Sequence, residues 1–217
     1  MLLLMDLDNT LVDREAAFSA WAGRFVAERG GGPGDVDWLI ELDADGYTAR
    51  DRVAAALRER FGLAESRDRL VERLLREHVE EIAPIPGVPE QLASLGEQGV
   101  RRVVVSNGSE WQQQRKLRVT GLADLVDDVI ISEAVGCKKP DPEIFRIALD
   151  RSPTPGEAWM IGDHPDADVR GAARVGLRTG WVDRGRRWLG DDPPTVQAVT
   201  APAVIEAAIS VRHPYHS

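Results

Sequence analysis

The sequence predicts an α/β fold: a parallel sheet with helices on both faces, interrupted by an inserted helical segment. Three observations predict it. Short, continuous apolar runs recur along the chain, as strands buried on both faces require. Longer helical patterns alternate with them, the pattern of right-handed βαβ units. Residues 14–82 break the alternation, because no strand-like run occurs there.

In chain order, the strand runs are "LLLM" from Leu2, "RRVVVS" ending in Ser106, "DVII" ending in Ile131, "AWMIGD" ending in Asp163, and the weaker "RTGWVD". Helical patterns lie between them over residues 88–98, 110–119, 142–150 and 166–175. Within 14–82, helices are predicted over 15–29, 36–42, 48–61 and 66–82. Thr48 and Ser66 suit helix starts, and Gly46 and Gly62 suit helix ends. "APIPGVP" reads as a hinge back into the sheet. The expected organisation is therefore a core of residues 1–13 and 83–217 and an insertion of residues 14–82. The closing "VRHPYHS" carries no partner pattern and reads as an ordinary tail.

Composition narrows the function. A chain of 217 residues with 43% hydrophobic and 29% charged residues is that of a globular protein with a sizeable core. Lys and Arg total 27 against 36 Asp and Glu, a net charge of −9, which argues against a nucleic-acid partner. Cys137 is the single cysteine, so an internal disulfide and a multi-cysteine zinc site are excluded. The apolar opening Met1 to Met5 is too short for a signal peptide or a membrane span. A cytoplasmic protein with no membrane partner is expected.

Polar residues follow the apolar runs: Asp6 and Asp8, then Ser106, then Asp163 and Asp168. By spacing alone, Asp6 and Asp8 fit a turn as well as a site. Ser106 fits a strand-end turn, Lys138 and Lys139 fit a solvated surface, and Asp163 and Asp168 fit a helix start. Together, however, they would meet at one edge, because parallel strands end on the same side of a sheet, where such folds bind ligands. Lys139 lies in a loop that could reach that edge.

The combined set has a coherent chemistry. Asp6 and Asp163 can hold Mg²⁺, which takes few carboxylates together with phosphate oxygens. A carboxylate can attack phosphorus to form an aspartyl-phosphate. Asp8 can protonate the leaving oxygen and then activate water. Ser106 and the amides near Asn107 and Gly108 can hold phosphate oxygens, while Lys139 offsets developing charge.

"DLDNT", "SNG", "KPDPEIF" and "GDHPDADVRGA" resemble, in order, the four motifs of the haloacid dehalogenase-like hydrolase superfamily. The resemblance implies a Rossmann-like core, and it makes the insertion look like the superfamily's helical type 1 cap. "WLIELDADG" is similar to cap sequence of bacterial members. Carried over, Asp6 is the nucleophile and a magnesium ligand. Asp8 is the general acid/base and offers its backbone carbonyl to the metal. Ser106 and Asn107 bind phosphate, Lys139 neutralises it, Asp163 completes the metal site, and Asp168 supports the metal shell. Lys139 is preferred to Lys138 because the superfamily lysine directly precedes this proline.

Superfamily dehalogenases carry no acid at the position of Asp8, since halide leaves without a proton whereas an alkoxide needs one. The resemblance therefore implies a Mg²⁺-dependent phosphatase acting on a small phosphorylated metabolite. The alternatives are a phosphoryl-transferring mutase and a non-enzymatic, receiver-like phospho-switch. Arg14, Phe18, Trp21, Trp38 and Tyr47 are the candidate cap contacts to substrate, with cap-helix packing the competing role for the aromatics.

Overall fold

The computed structural model describes residues 1–152 and 156–212. Residues 213–217, most of the expected tail, lie outside the described residues. Six parallel strands form one sheet in the order β3-β2-β1-β4-β5-β6. They are β1 (Leu2–Met5), β2 (Arg101–Ser106), β3 (Asp128–Ile131), β4 (Ala158–Gly162), β5 (Arg178–Val182) and β6 (Val196–Ala198). The expected α/β architecture is present.

Side chains alternate across a strand, so β1 feeds both faces of the sheet. On one face Leu2 and Leu4 join Val103, Val105, Ile130 and Met160 against Ile144, Phe145 and Ala148 of a helix α8 (Pro142–Arg151). On the other, Leu3 and Met5 are fully buried, as are Val104, Trp159 and Ile161. The helices α5 (Val88–Glu97) and α10 (Ala201–Arg212) pack against β2, β4 and β5. Leu4 pairs with Val103 on β2 and with Met160 on β4. This register lets Asp6, Ser106 and Asp163 leave the sheet close to one level, at its carboxyl edge.

The chain divides into two compact units, Met1–Val12 with Pro84–Ser217, and Asp13–Ala83. The second has its own core. Asp13 caps α1 (Arg14–Ala27) by accepting from Ala16 N at 2.9 Å. Phe18, Trp21, Ala22, Phe25 and Val26 then form a helical stripe packed on Leu39, Val53, Leu57, Leu70 and Leu74. Those partners come from α2 (Pro33–Asp43), α3 (Arg50–Phe61) and α4 (Arg67–Arg76).

Three helix predictions need correction. Residues 66–82 do not form one helix: α4 ends at Arg76 and tightens into a 3₁₀ turn, Glu77–Glu81. His78 and Val79 are buried in that turn, and Glu77 accepts from Trp21 Nε1 at 2.6 Å. Thr48 does not start α3, which begins at Arg50. The preceding turn is organised by Asp43, whose carboxylate accepts from Gly46 N at 2.9 Å and whose carbonyl accepts from Thr48 N at 3.3 Å. Residues 166–175 form a π-helix, Pro165–Arg170, followed by the short α9 (Gly171–Ala173). The His164 side chain caps it, accepting from Asp166 N and Ala167 N at 3.2 and 3.1 Å.

The remaining helices of the first unit are α6 (Glu110–Val119) and α7 (Ser132–Val135). α6 starts three residues beyond Asn107, with Ser109 as its cap.

Candidate active site

Asp6 is the first residue past β1, and its N–H continues the ladder to Ile161 O at 2.8 Å. Its carboxylate is buried and meets Lys139, whose Nζ lies 2.6 Å from Asp6 Oδ1 and 2.7 Å from Asp168 Oδ1. Asp168 is held from its other side, where Oδ2 accepts from His164 N at 2.9 Å. A Cβ on Gly162 would stand 2.2 Å from that same oxygen. The glycine ending β4 therefore makes room for Asp168.

The Lys139 loop is anchored by a two-way bond to Asn107. Asn107 Nδ2 donates to Lys139 O at 2.9 Å, and Lys139 N donates to Asn107 Oδ1 at 2.8 Å. Its side-chain amide thus ties the Ser106 loop to the Lys139 loop. Gly108 N donates to Ser132 Oγ at 3.0 Å.

Asp163 follows β4. Its carbonyl accepts from Trp181 Nε1 at 2.9 Å and from Arg186 Nη2 at 2.6 Å. Its carboxylate faces Arg186 at 3.2 Å and Arg184 at 3.5 Å. Neither arginine was singled out from the sequence.

Asp8, two residues beyond Asp6, is more exposed and points to α6. Lys116 Nζ lies 2.7 Å from each of its carboxylate oxygens. Gln113 Nε2 donates to Asp8 Oδ2 at 2.9 Å and to Ser106 Oγ at 2.6 Å. Gln113 and Lys116 were also missed from sequence. The available signal was their spacing on a helix that opens directly after the Ser106 loop.

Burial pushes the Asp6 carboxyl up to about 7, and the Asp168 and Asp8 charges add to that push against the pull of Lys139. Burial works against the Lys139 ammonium, but Asp168 and Asp6 outweigh it and hold its pKa above the usual lysine range. Asp6, Asp163 and Asp168 each offer a carboxylate oxygen, all within 4.8 Å of one another. Hard oxygen donors this close together fit a small divalent cation.

The cap-face candidates lie in the second unit. Arg14 is buried and paired with Asp43 Oδ2 at 2.6 Å, with Arg50 on the other carboxylate oxygen. Phe18 and Trp21 belong to that unit's core, while Trp38 stacks edge-on against Phe61 and Tyr47 is exposed.

Carboxylates, a buried lysine and a serine thus meet at the carboxyl edge of a parallel sheet. Residues 3–182 match the profile of the haloacid dehalogenase-like hydrolases, and the chain belongs to that family. It is 39% identical over 182 residues to a phosphoserine phosphatase from Thermus thermophilus, covering 80% of this chain and 72% of that protein. A glyceraldehyde 3-phosphate phosphatase from Methanopyrus kandleri is 38% identical over 106 residues, which span 48% of this chain and 46% of that one. Among solved structures, the HAD-hydrolase YfnB from Bacillus subtilis, bound to magnesium, aligns with a TM-score of 0.74 at 26% identity, covering 95% of this chain and 97% of that one. No helix among the described residues is long and apolar enough to cross a membrane.

Proposed function

We propose that the protein is a Mg²⁺-dependent phosphatase that hydrolyses a small phosphorylated metabolite through an aspartyl-phosphate on Asp6. The observation that carries this reading is Asp6 at the tip of β1, held by Lys139 among buried carboxylates. The relatives named as phosphatases support the reaction type, and the magnesium bound to YfnB supports the ion.

Asp6 and Asp163 would hold the ion with the Asp8 backbone carbonyl, and Asp168 would support that shell. When bound, Mg²⁺ supplies charge neutralisation and orientation for the phosphoryl oxygens. The Asp6 carboxylate forms a bond to phosphorus as the bond to the leaving oxygen breaks. Asp8 gives its proton to that oxygen. Asp8 then takes a proton from water, whose oxygen attacks phosphorus, breaks the bond to Asp6 and releases phosphate. The Ser106 hydroxyl and the backbone beside Asn107 bind phosphoryl oxygens. Lys139 offsets their charge and, through Asp168, stays aimed at Asp6.

Residues 13–83 act in this reading as a cap that chooses the substrate, since they carry a core of their own and none of the residues assigned to the chemistry. The lone Cys137 fits a reducing, cytoplasmic compartment.

The test is release of inorganic phosphate from a panel of phosphorylated metabolites, with and without Mg²⁺. Turnover should vanish after chelation and return with Mg²⁺. Asp6→Asn should fold normally and lose activity, because an amide cannot form the acyl-phosphate. Full turnover by Asp6→Asn, or by thoroughly chelated enzyme, would refute the mechanism.

A further inference from the structure

Helix α6 carries two side chains that the mechanism above leaves without a role, and both are fully buried. Gln113 and Lys116 are three residues apart, so they share one face of the helix. A buried ammonium is tolerated only when it is paired and hydrogen-bonded. Lys116 meets that condition on Asp8, with 2.7 Å to each carboxylate oxygen.

Gln113 works on the same group. Its Nε2 reaches Asp8 Oδ2 at 2.9 Å, Ser106 Oγ at 2.6 Å and Asn107 O at 3.0 Å. Asn107 O can only accept, and so can Asp8 Oδ2 while its carboxylate is ionised, which fixes the amide with its nitrogen toward the site. By occupying a lone pair of Ser106 Oγ, the amide leaves that hydroxyl to act as a donor, the polarity a phosphoryl oxygen needs. Gly108 completes the arrangement. Its φ is +143°, and a Cβ there would lie 3.1 Å from Gln113 Cδ and 3.2 Å from Cγ.

We infer that Gln113 and Lys116 are positioning residues: together they hold the Asp8 carboxyl in one orientation and couple it to Ser106. Both act through Asp8 and Ser106, and neither is assigned a contact with substrate. The inference rests on the reading of Asp8 as the acid that protonates the leaving oxygen. Asp8 needs such support because its side chain is 22% exposed, whereas Lys116 is 1% exposed and packed in place. A general acid acts only within hydrogen-bond reach of the oxygen it protonates, so loss of orientation weakens that step selectively.

The experiment compares kcat/KM for p-nitrophenyl phosphate with kcat/KM for phenyl phosphate, whose phenolate is the more basic leaving group, in the presence of Mg²⁺. kcat/KM reports the steps through formation of the phosphoenzyme. In Lys116→Met the value for phenyl phosphate should fall about tenfold further than that for p-nitrophenyl phosphate, a fraction of the ~100-fold or more a general acid supplies. Gln113→Leu should show a smaller excess of the same sign. Adding Lys116→Met to Asp8→Ala should produce no further excess, since the residue it orients is gone.

Equal losses on both substrates, unchanged rates, or an excess that persists in the double variant would overturn the inference. If Lys116→Met does not give a cooperative melt, Lys116→Gln and Gln113→Leu decide by the same comparison. Asp8→Ala alone separates the acid role of Asp8 from the positioning role of α6. An excess there with none in the α6 variants refutes only the positioning role. No excess in Asp8→Ala refutes the acid itself, and the role of α6 with it.

Discussion

Replacing Gly162 with alanine should disable the enzyme by way of a residue that is not its nucleophile. The new Cβ would stand 2.2 Å from Asp168 Oδ2 and 2.3 Å from its Cγ. The carboxylate must retreat by about 1 Å to regain van der Waals distance. It has little freedom to do so, being fully buried and bonded to Lys139 Nζ at 2.7 Å and His164 N at 2.9 Å. Overpacking, together with loss of the charged hydrogen bond, should destabilise the fold by about 4 kcal/mol. Lys139 would lose one of its two anchors, and a shift of ~1 Å in a positioning group lowers a rate about 100-fold. The assay pairs urea unfolding with kcat/KM for p-nitrophenyl phosphate, measured on protein still folded at the assay temperature. A variant that folds and turns over within about threefold of wild type, under ~0.7 kcal/mol of barrier, would show that Asp168 does not aim Lys139.

The same substitution should have the opposite sign at Gly23, an interior position of α1 with no atom within 4 Å of an added Cβ. Gly23→Ala should raise stability by about 1 kcal/mol with turnover unchanged, read as a higher midpoint in urea. Asp43 supplies a pH test: burial pushes its carboxyl up, but Arg14 and Arg50 outweigh that and hold it below the usual value of 3.8. Its contribution is therefore complete above that value and is lost as pH falls through the lower folded value, so the stability gap between wild type and Asp43→Asn should be widest near neutrality and shrink below pH 3.8. A gap that is constant with pH would mean the charge on Asp43 contributes nothing.

Legibility from the sequence followed the strength of local patterns. The runs at Leu2, Val103, Val129 and Trp159 are apolar enough to announce strands buried on both faces, and all of them are strands. β6 was missed because "VQA" is three residues of edge strand, defined by its pairing with β5 and not by any periodicity of its own. α10, which covers the sheet behind it, was passed over with it. The π-helix at Pro165 reads as an ordinary helix because its wider turn depends on the His164 cap and on seating Asp168 against Lys139. At the site, Asp6, Ser106, Lys139 and Asp163 stood out because each follows a strand or lies in a conspicuous loop motif. Gln113 and Lys116 did not, because on a polar helix they resemble a solvated face. Their partner Asp8 is more than 100 residues away in sequence. Arg184 and Arg186 were lost for the same reason: charge in a loop carries no local sign of what it faces.

The way the chain leaves the sheet and returns has a consequence for how this architecture can be remodelled. Val12 bridges to Pro84, and Ile85 N bonds to Leu11 O at 2.9 Å, so the outgoing and incoming strands run side by side as the first unit is exited and re-entered. One residue further out, Asp13 N bonds to Ala83 O at 2.9 Å, closing the base of the second unit in the same manner. Everything between is hung from a seam whose two lips already touch. A splice made there has almost no gap to span, and each doubling of a flexible graft adds only about 0.6 kcal/mol of loop-closure entropy. Exchange of the whole segment for another, shorter or longer, should therefore leave the register of the sheet, and the level at which Asp6 and Asp163 emerge, undisturbed.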